Sequence, residues 1–368
     1  MDWSSEQDGA LKAIADWLKG GRSQVFRLFG YAGTGKTTLA RHLAEGIDGD
    51  VCFGAFTGKA ALVMRSKGCD GASTIHSMIY RPKRPAEDEE EEETFSFALN
   101  RHSDAAKADL IVIDECSMVD EELGRDLLSF GKKTLVLGDP AQLPPVKGGG
   151  FFTEAEPDIM LTQVHRQARD NPIIRLSMDV REGRDLDLGD HGPAAVIRRR
   201  DITADRILAA DQVLVGRNKT RHLYNKRIRE LRGHTFPTPE VGEKLVCLRN
   251  DKTKGIQNGG LYRVTRVKDP KGAFLKFDLA PEEVGERRRI AASVLPAFFE
   301  GGEDALPYQV KRRSDEFDYG YALTVHKAQG SQWDDVVLFD ESFAFREHRA
   351  RWLYTGITRA AERLTVVV

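Results

Sequence analysis

Short apolar runs alternate with stretches of helical spacing along the first part of the chain. Apolar, β-favouring runs predict buried strands at Gln24–Phe29, Val51–Phe56, Asp109–Ile113 and Thr134–Gly138. The stretch Thr37–Glu45 carries two leucines four residues apart, which is typical of a helix. Buried strands that alternate with helices predict a parallel sheet covered on both faces, with functional loops at the carboxyl ends of its strands.

A second alternating region begins near Thr162, resumes near Tyr319 and ends in the apolar run Glu362–Val368. Between its two parts, from 233 to 317, the pattern changes to short strands divided by glycine-containing turns. The predicted strands are 244–248, 260–267 and 273–278, and the predicted turns are 258–260 and 269–272. This spacing predicts a small all-β insertion in the second region.

The segment from about Tyr80 to Ser103 interrupts the first region with prolines and with an unbroken acidic run, Glu87–Glu93. It predicts a hairpin-type insertion at about 80–104 whose centre is either disordered or a mobile tip. The acidic run also dominates the charge, because without it the formal net charge changes from −2 to +5. Net charge therefore neither indicates nor excludes a polyanionic partner.

Composition assigns the chain to the ordinary soluble globular proteins. No apolar run is long enough to cross a membrane, and the N-terminus lacks the basic and then apolar pattern of an export signal. We therefore expect a cytoplasmic protein that does not bind membranes. The four cysteines are scattered without a C-x-x-C pair, so we expect neither a zinc site nor a disulfide framework.

The segment Gly30–Thr37 matches the phosphate-binding pattern G-x-x-x-x-G-K-[ST] between a predicted strand and a predicted helix. Its glycines let backbone N–H groups face an anion at the positive end of the helix. Lys36 is expected to bridge the β- and γ-phosphates, and the Thr37 hydroxyl to hold Mg²⁺. The residues expected to bind the phosphates are Gly30, Gly33, Thr34, Gly35, Lys36, Thr37 and Thr38.

Two carboxylates follow a predicted strand on the same sheet edge. Asp114 is expected to orient Mg²⁺, and Glu115 to polarise the attacking water. Gln142 lies after the next strand, from which its amide can reach toward the γ-phosphate. These residues predict a nucleoside triphosphatase that uses Mg²⁺.

With these elements the chain resembles the superfamily 1 helicases, in the RecD-like and Dda-like branch called 1B. The motifs appear in the order typical of that branch from Gln7 to the C-terminus. The matching segments are 30–37, 56–61, 74–77, 114–119, 163–167, 321–331 and 354–360.

The resemblance implies an α/β fold of two RecA-like P-loop NTPase lobes, with ATP bound between them. The implied first lobe is 1–161, with the hairpin-type insertion at about 80–104. The implied second lobe is 162–232 together with 318–368, and it is interrupted by an SH3-like β insertion at 233–317.

The resemblance also assigns nucleotide contacts outside the phosphate loop. Gln7 resembles the glutamine that recognises adenine, although a polar residue at a helix start is an alternative reading. Arg166 and Arg359 resemble the two arginines that the second lobe presents to the γ-phosphate. Gln332 stands where the family usually has a ribose-binding glutamate, so ribose discrimination is in doubt, whereas ATP binding is not.

The resemblance places single-stranded DNA across both lobes. The residues that match the nucleic-acid contacts of the family are Thr57, Lys59, His76, Thr324 and His326. Burial in the core is the alternative for both histidines. For Trp333 and Phe151–Phe152, core packing is the favoured reading, and stacking on bases is the alternative.

The resemblance therefore implies an ATP-dependent DNA helicase that moves 5′-to-3′ on single-stranded DNA and opens forks. A translocase that does not unwind and an RNA helicase are the alternatives. We expect a monomer, with replication or recombination proteins as candidate partners. The acidic insertion is expected to steer DNA rather than touch it, because its charge repels phosphates.

Overall fold

The computed structural model describes residues 3–20, 22–82, 97–144, 150–163, 170–249, 258–282 and 289–368, with 251, 254 and 256. The chain divides into two compact units, Met1–Asp170 and Asn171–Val368. The acidic run 87–93 and its predicted mobility lie outside the described residues. Among the described helices, none combines the length and apolar character needed to span a membrane.

The first unit is built on parallel strands connected through helices. Its strands are β1 (Val25–Gly30), β2 (Val51–Ala55), β3 (Ser73–Thr74), β4 (Tyr80–Pro82), β5 (Phe97–Leu99), β6 (Leu110–Asp114), β7 (Lys133–Gly138) and β8 (Ile159–Leu161). Its helices are α1 (Ser5–Gly20), α2 (Lys36–Glu45), α3 (Gly58–Ser66), α4 (Ile75–Ile79), α5 (Asp104–Lys107) and α6 (Glu121–Leu128). Six strands form one parallel sheet in the order β3-β2-β6-β7-β1-β8, and β4 pairs with β5 antiparallel.

Strand β6 shows why this sheet is covered on both faces. Leu110 and Val112 belong to a core cluster with residues of α1, α2 and α3. Ile111 and Ile113 belong to a second cluster with residues of α4, α5 and α6. Successive side chains of a strand point to opposite faces, so a continuous apolar run needs apolar partners on both sides. The predicted parallel α/β fold is confirmed.

The second unit contains two sheets. Its strands are β9 (Gly189–Asp190), β10 (Ala194–Ile197), β11 (Gln212–Val215), β12 (Lys244–Cys247), β13 (Leu261–Lys271), β14 (Phe274–Pro281), β15 (Ile290–Val294), β16 (Phe317–Tyr319), β17 (Ala322–Thr324), β18 (Trp333–Phe339) and β19 (Ala360–Val367). Its helices are α7 (Pro172–Arg181), α8 (Ala204–Ala209), α9 (Asn218–Leu231), α10 (Ala297–Glu300), α11 (Tyr308–Arg312) and α12 (Arg349–Ile357). One sheet has the order β17-β11-β18-β19-β10-β9 and is parallel except at β9.

The other sheet is antiparallel, in the order β15-β14-β13-β12-β16. It lies within the segment predicted as an all-β insertion except for Asp318 and Tyr319 of β16, which the prediction assigned to the second lobe. The predicted turn at 269–272 is wrong in position. Strand β13 continues to Lys271, with a register shift between Lys268 and Lys271, and the turn is at Gly272–Ala273. Gly272 has a φ of 63°, a conformation that favours glycine. The SH3-like type and the domain boundaries stay predictions.

Both sheets of the second unit share one hydrophobic core. Val213 and Phe339 of the parallel sheet belong to the same buried cluster as Leu245 and Phe277 of the antiparallel sheet. Helix α9 adds buried polar links, because Arg221 Nη1 lies 2.5 Å from Asp318 Oδ2 on β16. The antiparallel sheet is therefore packed into the unit rather than attached by a flexible linker.

Candidate nucleotide site and nucleic-acid residues

The phosphate-binding loop connects β1 to α2 in the first unit. Gly33 and Gly35 each have a φ of 78°, which residues with a side chain rarely adopt. A Cβ at Gly30 would lie 2.7 Å from Thr34 Oγ1 and 2.8 Å from Leu161 Cβ. Glycine is therefore required at these positions for the shape of the loop.

Lys36 is the first residue of α2, and its side chain folds back over the loop. Its Nζ donates hydrogen bonds to the carbonyl oxygens of Gly30, at 2.6 Å, and Tyr31, at 3.1 Å. The Thr34 hydroxyl donates to the same Tyr31 oxygen at 2.8 Å. The only cation of the predicted motif thus lies against the backbone that would surround a phosphate.

Thr37 and Asp114 come together although they are far apart in the sequence. Thr37 Oγ1 donates to Asp114 Oδ2 at 2.7 Å, and Asp114 Oδ1 accepts from the backbone N–H of Glu115 at 2.8 Å. Asp114 ends β6, which lies two strands from β1. Hydroxyl and carboxylate oxygens are ligands that Mg²⁺ prefers, so this pair fits a magnesium ion beside a bound triphosphate.

Glu115 has an unusual backbone conformation. Its φ of 53° and ψ of 43° are left-handed, and Arg346 is the only other non-glycine residue with positive φ in the described part of the chain. Such conformations cost roughly 1–3 kcal/mol and concentrate at functional sites. The strain fits the predicted role of Glu115, because it turns the chain sharply at the carboxyl end of β6.

Gln142 lies on the loop after β7, the strand between β6 and β1. Its side chain is buried, and within the described residues its Oε1 has no hydrogen-bond partner. Buried acceptors normally have partners, so an orphaned amide oxygen on this edge suits a polar ligand such as the attacking water.

Gln7 takes part in the N-terminal cap of α1. Its Oε1 accepts from the backbone N–H of Ser4 at 3.0 Å, while its own N–H donates to Ser4 Oγ at 3.3 Å. This reciprocal pair is a capping box with the spacing Ser4-x-x-Gln7, and it agrees with the alternative reading of Gln7 as a polar residue at a helix start. Gln7 Nε2 also donates to the Thr34 carbonyl at 3.0 Å, so the residue supports the phosphate loop. Its adenine contact stays a prediction.

Of the remaining predicted nucleotide residues, Thr38 lies in the first turn of α2 in the first unit, and its phosphate contact stays a prediction. Arg166 lies outside the described residues. Arg359, in the second unit, is buried and donates to the Thr355 and Ser331 carbonyls at 3.1 and 3.2 Å. Gln332 is exposed and lies immediately before β18.

The predicted nucleic-acid residues of the first unit lie at the starts of α3 and α4. Thr57 Oγ1 caps α3 by accepting from the backbone N–H of Ala60 at 3.1 Å. Lys59 is half-buried on the same helix. His76 is also half-buried, with its ring centroid 4.5 Å from that of Tyr80 and 4.7 Å from that of Phe97. His76 is therefore not enclosed in the core.

In the second unit, Thr324 ends β17 and is buried, with its Oγ1 accepting from Lys327 N at 3.3 Å. His326 is half-buried, and burial, followed by repulsion from His348, lowers the pKa of its imidazole. The aromatic residues considered for base stacking differ in burial. Phe152 is fully buried, which agrees with core packing, whereas Trp333 is half-buried.

Comparison with known proteins identifies the family. The family model of the AAA domain matches residues 3–198, more than half of the chain, and that of the UvrD-like helicase C-terminal domain matches residues 319–367. The ATP-dependent RecD2 DNA helicase of Deinococcus radiodurans is 31% identical over 386 residues, which cover 95% of this chain. The chain belongs to the RecD-, Pif1- and Dda-like helicases of superfamily 1B.

Other members of this helicase family extend the comparison. The ATP-dependent DNA helicase Pif1 of Bdellovibrio bacteriovorus is 24% identical over 377 residues, which cover 91% of this chain and 81% of Pif1. A Pif1 structure solved for DNA unwinding at forked duplex DNA has a TM-score of 0.61 at 19% identity and covers 100% of this chain and 92% of its own. That likeness supports the predicted fold of two RecA-like lobes. The chain spans only 47% of the length of RecD2.

Proposed function

We propose that this chain is an ATP-dependent DNA helicase that moves 5′-to-3′ along single-stranded DNA and unwinds duplex DNA. The observation that carries the proposal is the 2.7 Å hydrogen bond between Thr37 Oγ1 and Asp114 Oδ2. It joins the phosphate loop to the acidic strand end, as Mg-ATP hydrolysis requires. Family membership supports the link between this ATPase site and DNA, because RecD2 and Pif1 are named as ATP-dependent DNA helicases.

Each predicted catalytic or magnesium-binding residue of the first unit has a role in this hydrolysis. Lys36 exchanges its contacts with the two loop carbonyls for oxygens of the β- and γ-phosphates. Thr37 and Asp114 hold Mg²⁺, which when bound neutralises charge on those phosphates. Glu115 accepts the proton of the attacking water, and Gln142 Oε1 orients that water.

Arg166 and Arg359 complete the site from the second lobe in this proposal. Their guanidinium groups stabilise the charge that develops on the γ-phosphoryl group, so hydrolysis depends on closure of the two lobes. Differential binding of DNA in the closed and open states then produces steps along the strand. Because one chain supplies every predicted catalytic group, we propose a monomeric motor, acting in the cytoplasm with replication or recombination proteins.

DNA in this proposal is held by Thr57, Lys59 and His76 in the first lobe and by Thr324 and His326 in the second. Contacts to the sugar-phosphate backbone carry little sequence information, so sequence preference is weak. The Pif1 structure concerns forked duplex DNA, which is the substrate we propose for this chain.

Unwinding of duplexes that carry only a 5′ tail or only a 3′ tail tests the proposal, with ATP and Mg²⁺ present. We expect unwinding from the 5′ tail alone, and none with Lys36→Ala. Unwinding only from the 3′ tail would refute the direction. Removal of a protein bound to single-stranded DNA without opening of the fork would indicate a translocase. Stronger ATPase stimulation by poly(rU) than by poly(dT) would indicate an RNA helicase.

A further inference from the structure

One edge of the second unit carries an exposed aromatic and basic pair that the preceding assignments leave unused. Val215 of β11 and Thr324 of β17 are register partners, so these strands end side by side. Arg217 follows β11, and Phe343 lies in the 3-10 segment Ser342–His348 after β18, the other neighbour of β11. This edge already contains Thr324, a predicted DNA contact.

Arg217 and Phe343 are exposed together. The guanidinium carbon of Arg217 lies 5.6 Å from the centroid of the Phe343 ring, within the range of a cation–π contact. The Arg217 side chain is 53% exposed and Phe343 is 64% exposed. A large ring and a fixed positive charge thus face solvent as one surface, which we call the Arg217–Phe343 pair.

A buried carboxylate fixes the position of Arg217. Glu341 is only 2% exposed, and its oxygens accept from Arg217 Nη2 at 2.7 Å, from Thr220 Oγ1 at 2.7 Å and from Gly216 N at 2.8 Å. Burial alone would raise the pKa of the Glu341 carboxyl, but the hydrogen bonds outweigh it and lower that pKa. The carboxylate is therefore ionised at neutral pH, and it holds one side of the guanidinium while the other side stays in solvent.

The segment that carries Phe343 is also held in place. The Phe345 ring lies 5.2 Å from that of His326 and stacks at 5.5 Å on that of Trp352, which is fully buried. Arg346 has a φ of 42°, so the backbone here is strained, as is common at ligand-binding segments. His326, another predicted DNA contact, is thereby linked to the Phe343 segment through one ring.

The charges near the pair favour a polyanion. Arg346, Arg349 and Arg351 are exposed in the same segment and at the start of α12, against one exposed carboxylate, Glu347. Single-stranded DNA offers a phosphate next to each base. Phosphates pair with guanidinium groups and bases stack on aromatic side chains, so an arginine beside a phenylalanine suits such a strand.

We propose that the Arg217–Phe343 pair is a further binding site for single-stranded DNA, in which Arg217 contacts a phosphate and Phe343 stacks on the adjacent base. Glu341 is a positioning residue that orients Arg217. The inference rests on the proposed function and extends its DNA path on the second lobe beyond Thr324 and His326.

Equilibrium binding of fluorescent (dT)₁₅ to the full chain tests the stacking contact. Phe343→Ala should weaken binding about five- to 150-fold at fixed salt, since each stacked base contributes about 1–3 kcal/mol. Phe236→Ala is the matched control, because Phe236 is also a 64% exposed aromatic of this unit. Its binding should stay within twofold of wild type. Thermal unfolding checks that both variants fold.

The salt dependence of binding tests the phosphate contact. Arg217→Ala should reduce the slope of log K against log salt concentration by about 0.7, the contribution of one phosphate on a single strand. Arg227→Ala, at an exposed arginine of α9, the helix that follows Arg217, should leave the slope unchanged. Glu341→Gln should weaken binding and add no further loss in the Arg217→Ala background, whereas a purely structural role would give additive losses.

The outcomes separate this inference from the proposed function. If the wild-type protein binds (dT)₁₅ and unwinds DNA, and Phe343→Ala and Arg217→Ala bind as tightly as wild type, the proposed site at the Arg217–Phe343 pair is refuted. The proposed helicase function would then stand. Wild type that does not bind (dT)₁₅ at all would overturn both. Weaker binding of Phe343→Ala with an unchanged salt slope, together with weaker binding of Arg217→Ala with a slope reduced by about 0.7, would support the pair.

Discussion

The strained backbone of Glu115 predicts that stability and activity oppose each other at one residue. Glu115→Gln and Glu115→Gly both remove the carboxylate that we assign as general base. We expect either change to lower ATP hydrolysis by about 10²–10⁴-fold. The two variants differ in the backbone, because only glycine adopts the observed φ of 53° without steric cost.

The size of the difference follows from that conformation. A left-handed residue with a side chain costs roughly 1–2 kcal/mol. The greater freedom of glycine in the unfolded chain offsets roughly 0.5–1 kcal/mol of this. Glu115→Gly should therefore be more stable than Glu115→Gln by about 1 kcal/mol, or ~2–4 °C in the unfolding temperature for a unit of this size.

Thermal unfolding and a coupled ATPase assay measure the two effects. The control is the pair Lys12→Gly and Lys12→Gln, at an exposed position in the middle of α1. There the order should reverse, with glycine less stable by about 1 kcal/mol. If Glu115→Gly is no more stable than Glu115→Gln while the Lys12 pair behaves as expected, the strain at Glu115 is absent. If Glu115→Gln hydrolyses ATP at the wild-type rate, Glu115 is not the base.

Three further predictions concern substitutions at buried polar contacts. Thr37→Val removes the donor to Asp114 and should abolish Mg²⁺-dependent ATPase, whereas Thr37→Ser should keep it, as a magnesium titration of the rate will show. Glu243→Met leaves the buried Arg229 charge unpaired and should destabilise the second unit by about 3–5 kcal/mol in urea unfolding, with part of the loss recovered by adding Arg229→Met. Because the pKa of Glu341 is lowered in the folded protein, its contribution to the free energy of unfolding is complete above its ordinary pKa of 4.5. That contribution is lost as the pH falls through the lower pKa of the folded state. Glu341→Gln should therefore flatten the decline of the free energy of unfolding below pH 4.5.

The parallel sheet of the first unit was predictable because its strands are continuous apolar runs. The predicted strand Asp109–Ile113 differs from the observed Leu110–Asp114 by one residue at each end. The hairpin of β13 and β14 was harder, because Asp269 and Pro270 form a typical turn sequence. The long antiparallel pairing instead continues past them through a register shift, which only the sheet as a whole determines.

The candidate site was predictable where one contiguous motif forms it. The phosphate loop supplies its glycines, Lys36 and Thr37 within a single segment, so their spacing alone was enough to predict them. The Arg217–Phe343 pair has no such motif. Its members follow strands β11 and β18, and Glu341 joins them only because these strands are neighbours in the sheet.

Helix α9 carries Arg221, Asn225 and Arg229 at intervals of four residues, and each side chain bonds to the antiparallel sheet or its flanks, at Asp318, Tyr319 and Glu243. In a homologue without the inserted sheet, Arg229 would lose its partner Glu243, whereas Asn225 would keep its hydrogen bonds to Ala322 of β17. Retention or replacement of the arginine at this place on the helix should therefore follow retention or loss of the inserted sheet.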